Sequence, residues 1–89
     1  MALQVEVVSP EKILYSGQAD MIVCRTTEGE VAFLTGHAPF VSLLSSGEVR
    51  IHRSNEPELK VQVDGGVVEV SDDRVTVLSD AAQLVETPG

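Results

Sequence analysis

The sequence predicts an all-β fold, a two-sheet β-sandwich of about ten short strands. Three observations lead there. Fifteen valines, three isoleucines and five threonines in 89 residues make the chain heavily β-branched, which favours strands over helices. Turn signals recur at intervals of roughly five to ten residues, the spacing of short strands in a sandwich or barrel. No window holds an apolar stripe at helical spacing, so no long helix is expected.

The elements follow in order. Leu3, Val5 and Val7 alternate with Gln4, Glu6 and Val8 until Ser9-Pro10-Glu11, where proline has no amide hydrogen to give a ladder. Ile13-Leu14-Tyr15 reads as a short piece ended by the turn pair Ser16-Gly17. Ala19 to Thr26 is the next strand, and Glu28-Gly29 turns it into Glu30 to Leu34. Gly36 to Pro39 breaks the chain again before Phe40 to Leu44. After Ser45-Ser46-Gly47, Val49 and Ile51 alternate with Arg50 and His52, and Ser54-Asn55-Glu56-Pro57 forms a polar hairpin loop. Leu59, Val61 and Val63 alternate with Lys60, Gln62 and Asp64, the pattern of a half-exposed strand. Gly65-Gly66 offers two positions that take positive φ at low cost. Val67 to Val70, the turn Ser71-Asp72-Asp73 and Val75 to Leu78 make a hairpin; Ala82 to Val85 adds a last strand, and Pro88-Gly89 ends the chain.

Composition narrows the function classes. The length suits a single domain over residues 1–89, without linker, internal repeat or low-complexity segment. Hydrophobic content of 43% fits a folded domain. No apolar run approaches the roughly 18 residues of a membrane-spanning helix, and Met1 to Glu6 lacks the basic start and apolar run of a signal peptide, so synthesis in the cytosol without direct lipid insertion is expected. Fourteen acidic against six basic residues give a net charge of −8, which argues against nucleic acid and anionic membranes as partners. That charge serves solubility, or it attracts a basic patch on a partner protein.

The residues that carry chemistry are sparse. Cys24 is the only cysteine and lies in the apolar run Met21-Ile22-Val23-Cys24, where a core position is expected, with Arg25 on the opposite strand face. Neither a Gly-x-Ser-x-Gly nucleophile elbow nor a glycine-rich phosphate loop with its lysine is present. One cysteine with His37 and His52 does not make a zinc ligand set, and His52 between Arg50 and Arg53 reads as an exposed strand position. Glu28 and Glu30 flank a turn glycine, and Asp72-Asp73 sits in a hairpin turn, where carboxylates bond to local amides. The expectation is a non-enzymatic domain with no cofactor and no metal. His37, in the glycine- and proline-bounded turn Gly36-His37-Ala38-Pro39, is either bonded to nearby backbone or presented to a partner by a rigid loop.

In order along the chain, Val7-Val8-Ser9-Pro10-Glu11, Tyr15-Ser16-Gly17, Glu28-Gly29-Glu30, Gly36-His37-Ala38-Pro39, Gly47-Glu48-Val49-Arg50-Ile51, Gly65-Gly66-Val67-Val68-Glu69-Val70 and Val75-Thr76-Val77-Leu78-Ser79-Asp80 resemble one family. It is the epsilon subunit of the F-type rotary ATP synthase, and the resemblance covers nearly the whole chain. Ala32, Thr35 and Ser79 depart from that family's usual glycine, proline and alanine, without deleting a strand. The resemblance implies a non-catalytic rotor subunit that links the gamma subunit to the membrane c ring, coupling proton transport to ATP synthesis. It also implies a peripheral place at the cytoplasmic face of the cell membrane, held by the complex. The family's usual chain continues into an inhibitory two-helix hairpin, whereas this sequence stops at Gly89, so the coupling role without the inhibitory one is expected. By the same resemblance Glu28, Gly29 and Glu30 face the c ring, while Ser9, His37, Ala38, Pro39 and Ser42 face gamma. The competing reading is a free-standing sandwich that binds a small ligand or peptide, which needs a concave pocket with convergent polar groups.

Overall fold

Alternation in the sequence becomes a ladder with one buried and one exposed face. The computed structural model describes residues 2–85, so the expected stop at Pro88-Gly89 lies outside the described residues. The strands are β1 (Leu3–Val8), β2 (Ile13–Ala19), β3 (Met21–Thr26), β4 (Gly29–Phe33), β5 (Phe40–Leu44), β6 (Gly47–His52), β7 (Leu59–Val63), β8 (Gly66–Ser71), β9 (Arg74–Leu78) and β10 (Ala82–Val85). Among the described residues there is no helix, as the missing 3.6-residue stripe predicts.

Strand pairing runs β10-β7-β6-β3-β5-β8-β9-β1-β2, with β4 paired to β3 outside that path. The all-β expectation holds, and hydrogen bonding links the ten strands into one continuous sheet that curls in a barrel-like way. The physical reason is β3. Its first residues pair with β6 (Met21↔His52 to Val23↔Arg50), and its last, Thr26, pairs with Leu44 of β5. Backbone bonds from Thr27 N to Leu43 O (3.0 Å) and from Ser45 N to Arg25 O (2.9 Å) flank that pair. At the far ends β10 approaches β2 without pairing to it. All pairs are antiparallel except β1 with β9, which run parallel from Gln4↔Arg74 to Val8↔Leu78.

The enclosed face holds Leu3, Val5, Val7, Ile22, Cys24, Phe33, Val49, Ile51, Val61, Val63, Val68, Val70, Val75 and Val77, each 2% exposed or less. These are the alternate positions of their strands, and Phe33 is the one aromatic ring fully inside. Burying a valine or leucine side chain is worth about 1.5–3 kcal/mol, so this face is the main stabilising term. Ser79, also buried, donates its hydroxyl to the carbonyls of Gly65 (2.8 Å) and Ala81 (3.2 Å). The serine that departs from the family's usual alanine thus ties two turns together.

One turn is misplaced by the sequence reading. Ser16-Gly17 lies inside β2, where Gly17 stands opposite Val5. The Tyr15 ring folds over Gly17, so that a Cβ there would meet Tyr15 Oη at 3.0 Å, and Tyr15 Oη donates to Gln18 O at 3.1 Å. A covering ring lets a glycine sit in an edge strand without exposing its backbone. The chain turns instead at Asp20, whose N–H bonds to His52 O (2.8 Å). The turn at Asp72-Asp73 is as expected: both residues have positive φ (51° and 60°) between the paired Ser71 and Arg74, a type I′ hairpin.

Gly66 and Gly29 separate two reasons for glycine. Both lie at φ near +125°, but a Cβ on Gly66 would overlap the Leu78 carbonyl, whereas one on Gly29 meets nothing within 4 Å. Gly29→Ala should cost about 1–2 kcal/mol of backbone strain. Gly66→Ala should cost about 3 kcal/mol or more, lowering Tm by over ~10 °C. Equal losses in thermal unfolding would show that the close approach at Gly66 contributes nothing.

Candidate functional site

The enclosed face leaves the outer face to be explained, and one row on it is apolar. Pairing places Leu43 of β5 beside Val67, Val67 beside Leu78, Leu78 beside Val8, and Val8 beside Ile13. The row crosses five strands, about 19 Å at the usual strand spacing. Leu43 is 61% exposed, Leu78 49% and Ile13 60%, while Val67 and Val8 are half-buried between them. Val41, 66% exposed, extends the row along β5. The next row holds Glu69, Thr76 and Glu6, so carboxylates border the apolar strip. Outward-facing β-branched and leucine residues in an unbroken row make this an exposed apolar strip, the kind of surface that serves as an interaction site in many proteins.

The residues singled out from the sequence fall around this row. Ser9 follows Val8 directly; its N–H bonds to Lys12 O (2.9 Å), and its hydroxyl meets the same carbonyl (3.2 Å). Ser42 lies between Val41 and Leu43 but pairs with the buried Val68, so its side chain is on the enclosed side and half-buried. The outward positions of β5 are its two neighbours. Val41, Leu43, Leu78 and Ile13 were read from the sequence only as strand residues. The available signal was that both parities of β5 are apolar, Val41 and Leu43 on one face and Phe40 and Leu44 on the other.

His37 lies at the opposite end of β5 from Leu44, and both readings of it have support. Its Nδ1 donates to the Ala38 carbonyl at 2.7 Å, since a carbonyl oxygen can only accept. The ring stands edge-on to Phe33 (4.9 Å between centroids, 75°) and to Phe40 (6.0 Å, 81°). Ala38 and Pro39 are exposed beside it. The turn is a stiff, partly aromatic knob at the rim of the barrel.

Glu28, Gly29 and Glu30 form the β3–β4 hairpin, at the same end of the molecule as Leu44 and Gly66. Thr26 Oγ1 donates to Gly29 O (2.7 Å) and accepts the Glu28 N–H (3.2 Å), which fixes the loop locally. Glu30 faces Arg50 across the surface at 3.3 Å, and Glu28 is exposed at the tip. The Glu30 pair is solvent-exposed and so worth at most about 1 kcal/mol. The Glu28 hairpin and the His37 turn therefore lie at opposite ends of the strands. Ser9 lies with the hairpin.

Other chemistry-bearing groups have structural settings. Cys24 is fully buried, and burial pushes its thiol up to about 12. His52 Nε2 lies 3.0 Å from Glu58 Oε2, more engaged than the plain exposed position expected. Among the described residues no group of three or more histidine, cysteine, aspartate or glutamate side chains is placed to hold a metal ion. Among the described residues, two surface clefts, one at Ala19, Asp20 and Arg53 (about 170 Å³) and one at Val63, Asp64 and Ala82 (about 280 Å³), are small and shallow.

The fold and this face define an all-β domain whose distinctive outer feature is an exposed apolar row. The chain belongs to the family described as "ATP synthase, Delta/Epsilon chain, beta-sandwich domain", whose model matches residues 2–85. It is 43% identical over 82 residues to the ATP synthase epsilon chain of Brevibacillus brevis, covering 92% of this chain and 62% of that one. It is 39% identical over 84 residues to the ATP synthase epsilon chain of Frankia casuarinae, covering 94% of this chain and 99% of that one. The fold is similar to a chain in the Euglena gracilis mitochondrial ATP synthase structure of OSCP/F1/c-ring in rotational state 1. There the TM-score is 0.86 at 21% identity, covering 93% of this chain and 53% of that one. It is also similar to a chain of the Tetrahymena thermophila mitochondrial ATP synthase central stalk/c-ring, with TM-score 0.75 at 19% identity, covering 93% and 66%. At those identities the solved structures speak to the fold alone. The family resemblance read from the sequence is borne out.

The buried thiol generates a pH prediction. Because burial pushes the folded thiol up from the ordinary value of 9.0, the protein favours the neutral form, and this contribution is complete below pH ~9. It is lost as pH rises toward 12. Between pH 8 and 10 the wild type should lose about 1 kcal/mol more stability than Cys24→Ala, measured by urea unfolding. Parallel pH profiles for the two proteins would show that the thiol titrates as freely folded as unfolded.

Proposed function

We propose that this chain is a non-catalytic central-stalk subunit of an F-type ATP synthase, linking the gamma subunit to the c ring so that proton transport is coupled to ATP synthesis. The observation that carries the reading is the apolar row Leu43-Val67-Leu78-Val8-Ile13 on a member of the epsilon-chain family. Gamma covers this face, the rims at Ser9 and the His37-Ala38-Pro39 turn, and β5 at Ser42, which it meets through the outward Val41 and Leu43 on either side; the bordering Glu6 and Glu69 select a partner surface with basic residues beside an apolar strip. Glu28, Gly29 and Glu30 at the far hairpin meet the polar loops of the ring, where Glu30 exchanges its Arg50 pair for a contact on the ring. Exposed charges of this kind act on orientation and rate more than on affinity. The subunit sits peripherally at the cytoplasmic face of the membrane, held by protein contacts. Its role is mechanical: a closely packed interior transmits torque with little compliance. The two clefts among the described residues fall below the roughly 300–1,000 Å³ that ligand pockets commonly hold, which favours the subunit reading over the ligand module.

The direct test mixes the chain with the gamma subunit of its own organism and reads the product by native mass spectrometry. A one-to-one complex is expected; a folded monomer with no complex would overturn the proposal. Leu43→Asp should weaken that complex about 30-fold or more, the scale of an interface hot spot. Leu84→Asp, exposed but off the row, should leave affinity within about twofold. Equal effects from both would show that the row is not the docking face. Glu30→Lys combined with His37→Ala should reduce co-purification with gamma and the ring while the isolated domain stays folded. Normal co-purification of that double variant would remove those two contacts from the assignment.

A further inference from the structure

We infer that Asp73 is a positioning residue for partner recognition, acting through the Gly36-His37-Ala38-Pro39 turn; the inference rests on the gamma-binding reading above. The turn and Asp73 belong to different connections, the first between β4 and β5, the second between β8 and β9. Asp73 Oδ1 accepts the Gly36 N–H at 2.7 Å, the one side-chain bond that reaches this turn from another strand connection among the described residues. A carboxylate acceptor makes that bond charge-assisted, stronger than its neutral equivalent. The Asp73 carbonyl meanwhile accepts the Gln4 N–H at 2.8 Å, so one residue ties the turn to the start of β1 as well as to the β8–β9 hairpin.

Without Asp73 the turn is held only from within and from its own flanks. His37 N bonds to Leu34 O at 3.2 Å, its ring rests on Phe33 and Phe40, and Gly36 at φ +84° gives the backbone latitude to move. The strands that Asp73 joins, β8, β9 and β1, are the ones that carry Val67, Leu78 and Val8 of the apolar row. The bond therefore registers the His37 knob against the apolar face as one rigid surface. A surface ordered before contact loses less freedom on binding, which raises affinity without any new contact. Asp73 does this while sitting at φ 60°, a conformation that aspartate, asparagine and glycine tolerate best.

That tolerance supplies clean variants. Asp73→Gly removes the acceptor without backbone strain, and Asp73→Asn keeps both the acceptor and the φ angle. Affinity for purified gamma subunit is measured for the full chain by biolayer interferometry, with Gly36 amide exchange followed by NMR. Asp73→Gly should bind about three- to tenfold more weakly and exchange its Gly36 amide faster, whereas Asp73→Asn stays within about twofold of wild type. Adding His37→Ala to Asp73→Gly should weaken binding little beyond His37→Ala alone, because both act through the same turn. Additive losses, or unchanged affinity for Asp73→Gly while Leu43→Asp still abolishes binding, would overturn the positioning role and leave the gamma reading standing. Failure of the wild type to bind gamma at all would overturn both, with the Gly36 exchange rates then reporting a purely internal bond.

Discussion

Thr26 sits where the two halves of the sheet are joined, and the rest of the structure depends on that seam. Its backbone pairs with Leu44, while its side chain is 2% exposed and bonds at both polar valences to the Glu28-Gly29 turn. A buried hydroxyl is costly unless satisfied, and here the same bonds that satisfy it shape the adjoining hairpin. The seam also sets the register of β5. With Leu44 held against Thr26, Leu44 points inward and Leu43 outward; a slip of one residue would exchange them. The outer apolar row is thus a consequence of one internal pairing.

From that seam the architecture distributes its proposed contacts along a single ladder. The Glu28 hairpin grows from the end of β3, Ser9 lies at the same end after β1, and the His37 turn stands at the other end of β5. Between them runs the apolar row, perpendicular to the strands. A load applied at either end is carried by backbone hydrogen bonds and by close-packed valines. The fold suits a part that must hold its shape between two neighbours.

Much of the fold was legible from composition and punctuation. The alternation in β1, β6 and β7, the Asp72-Asp73 hairpin and the Gly65-Gly66 corner all appear where local chemistry puts them, because each is decided by nearby residues. Ser16-Gly17 shows the limit. As a dipeptide it is a turn signal, yet the Tyr15 ring and the pairing with Val5 keep it extended, and neither is a property of the pair itself. The single sheet was illegible for a similar reason, since the Thr26↔Leu44 contact joins segments with no pattern in common. At the candidate surface, the Gly36-His37-Ala38-Pro39 turn was visible as a motif. The outward Val41 and Leu43 were not, because apolar residues on both faces of a strand read as core until the ladder shows which side is covered. Nor does any local pattern link Asp73 to Gly36, which lie in different connections.

The parallel pairing of β1 with β9 has a temporal meaning as well as a spatial one. Leu3, Val5 and Val7 are wholly enclosed, and the strand that carries them is flanked by β2 on one side and by a strand from near the other end of the chain. On a ribosome, the first strand made is left with an open flank until β9 has emerged. Contacts between such distant segments carry a high loop-closure cost and slow the search. Closure of this part of the sheet therefore waits on β9, with the valines of β1 left uncovered on one flank until those of β9 arrive. An exposed apolar strand during that interval is a point of vulnerability to aggregation.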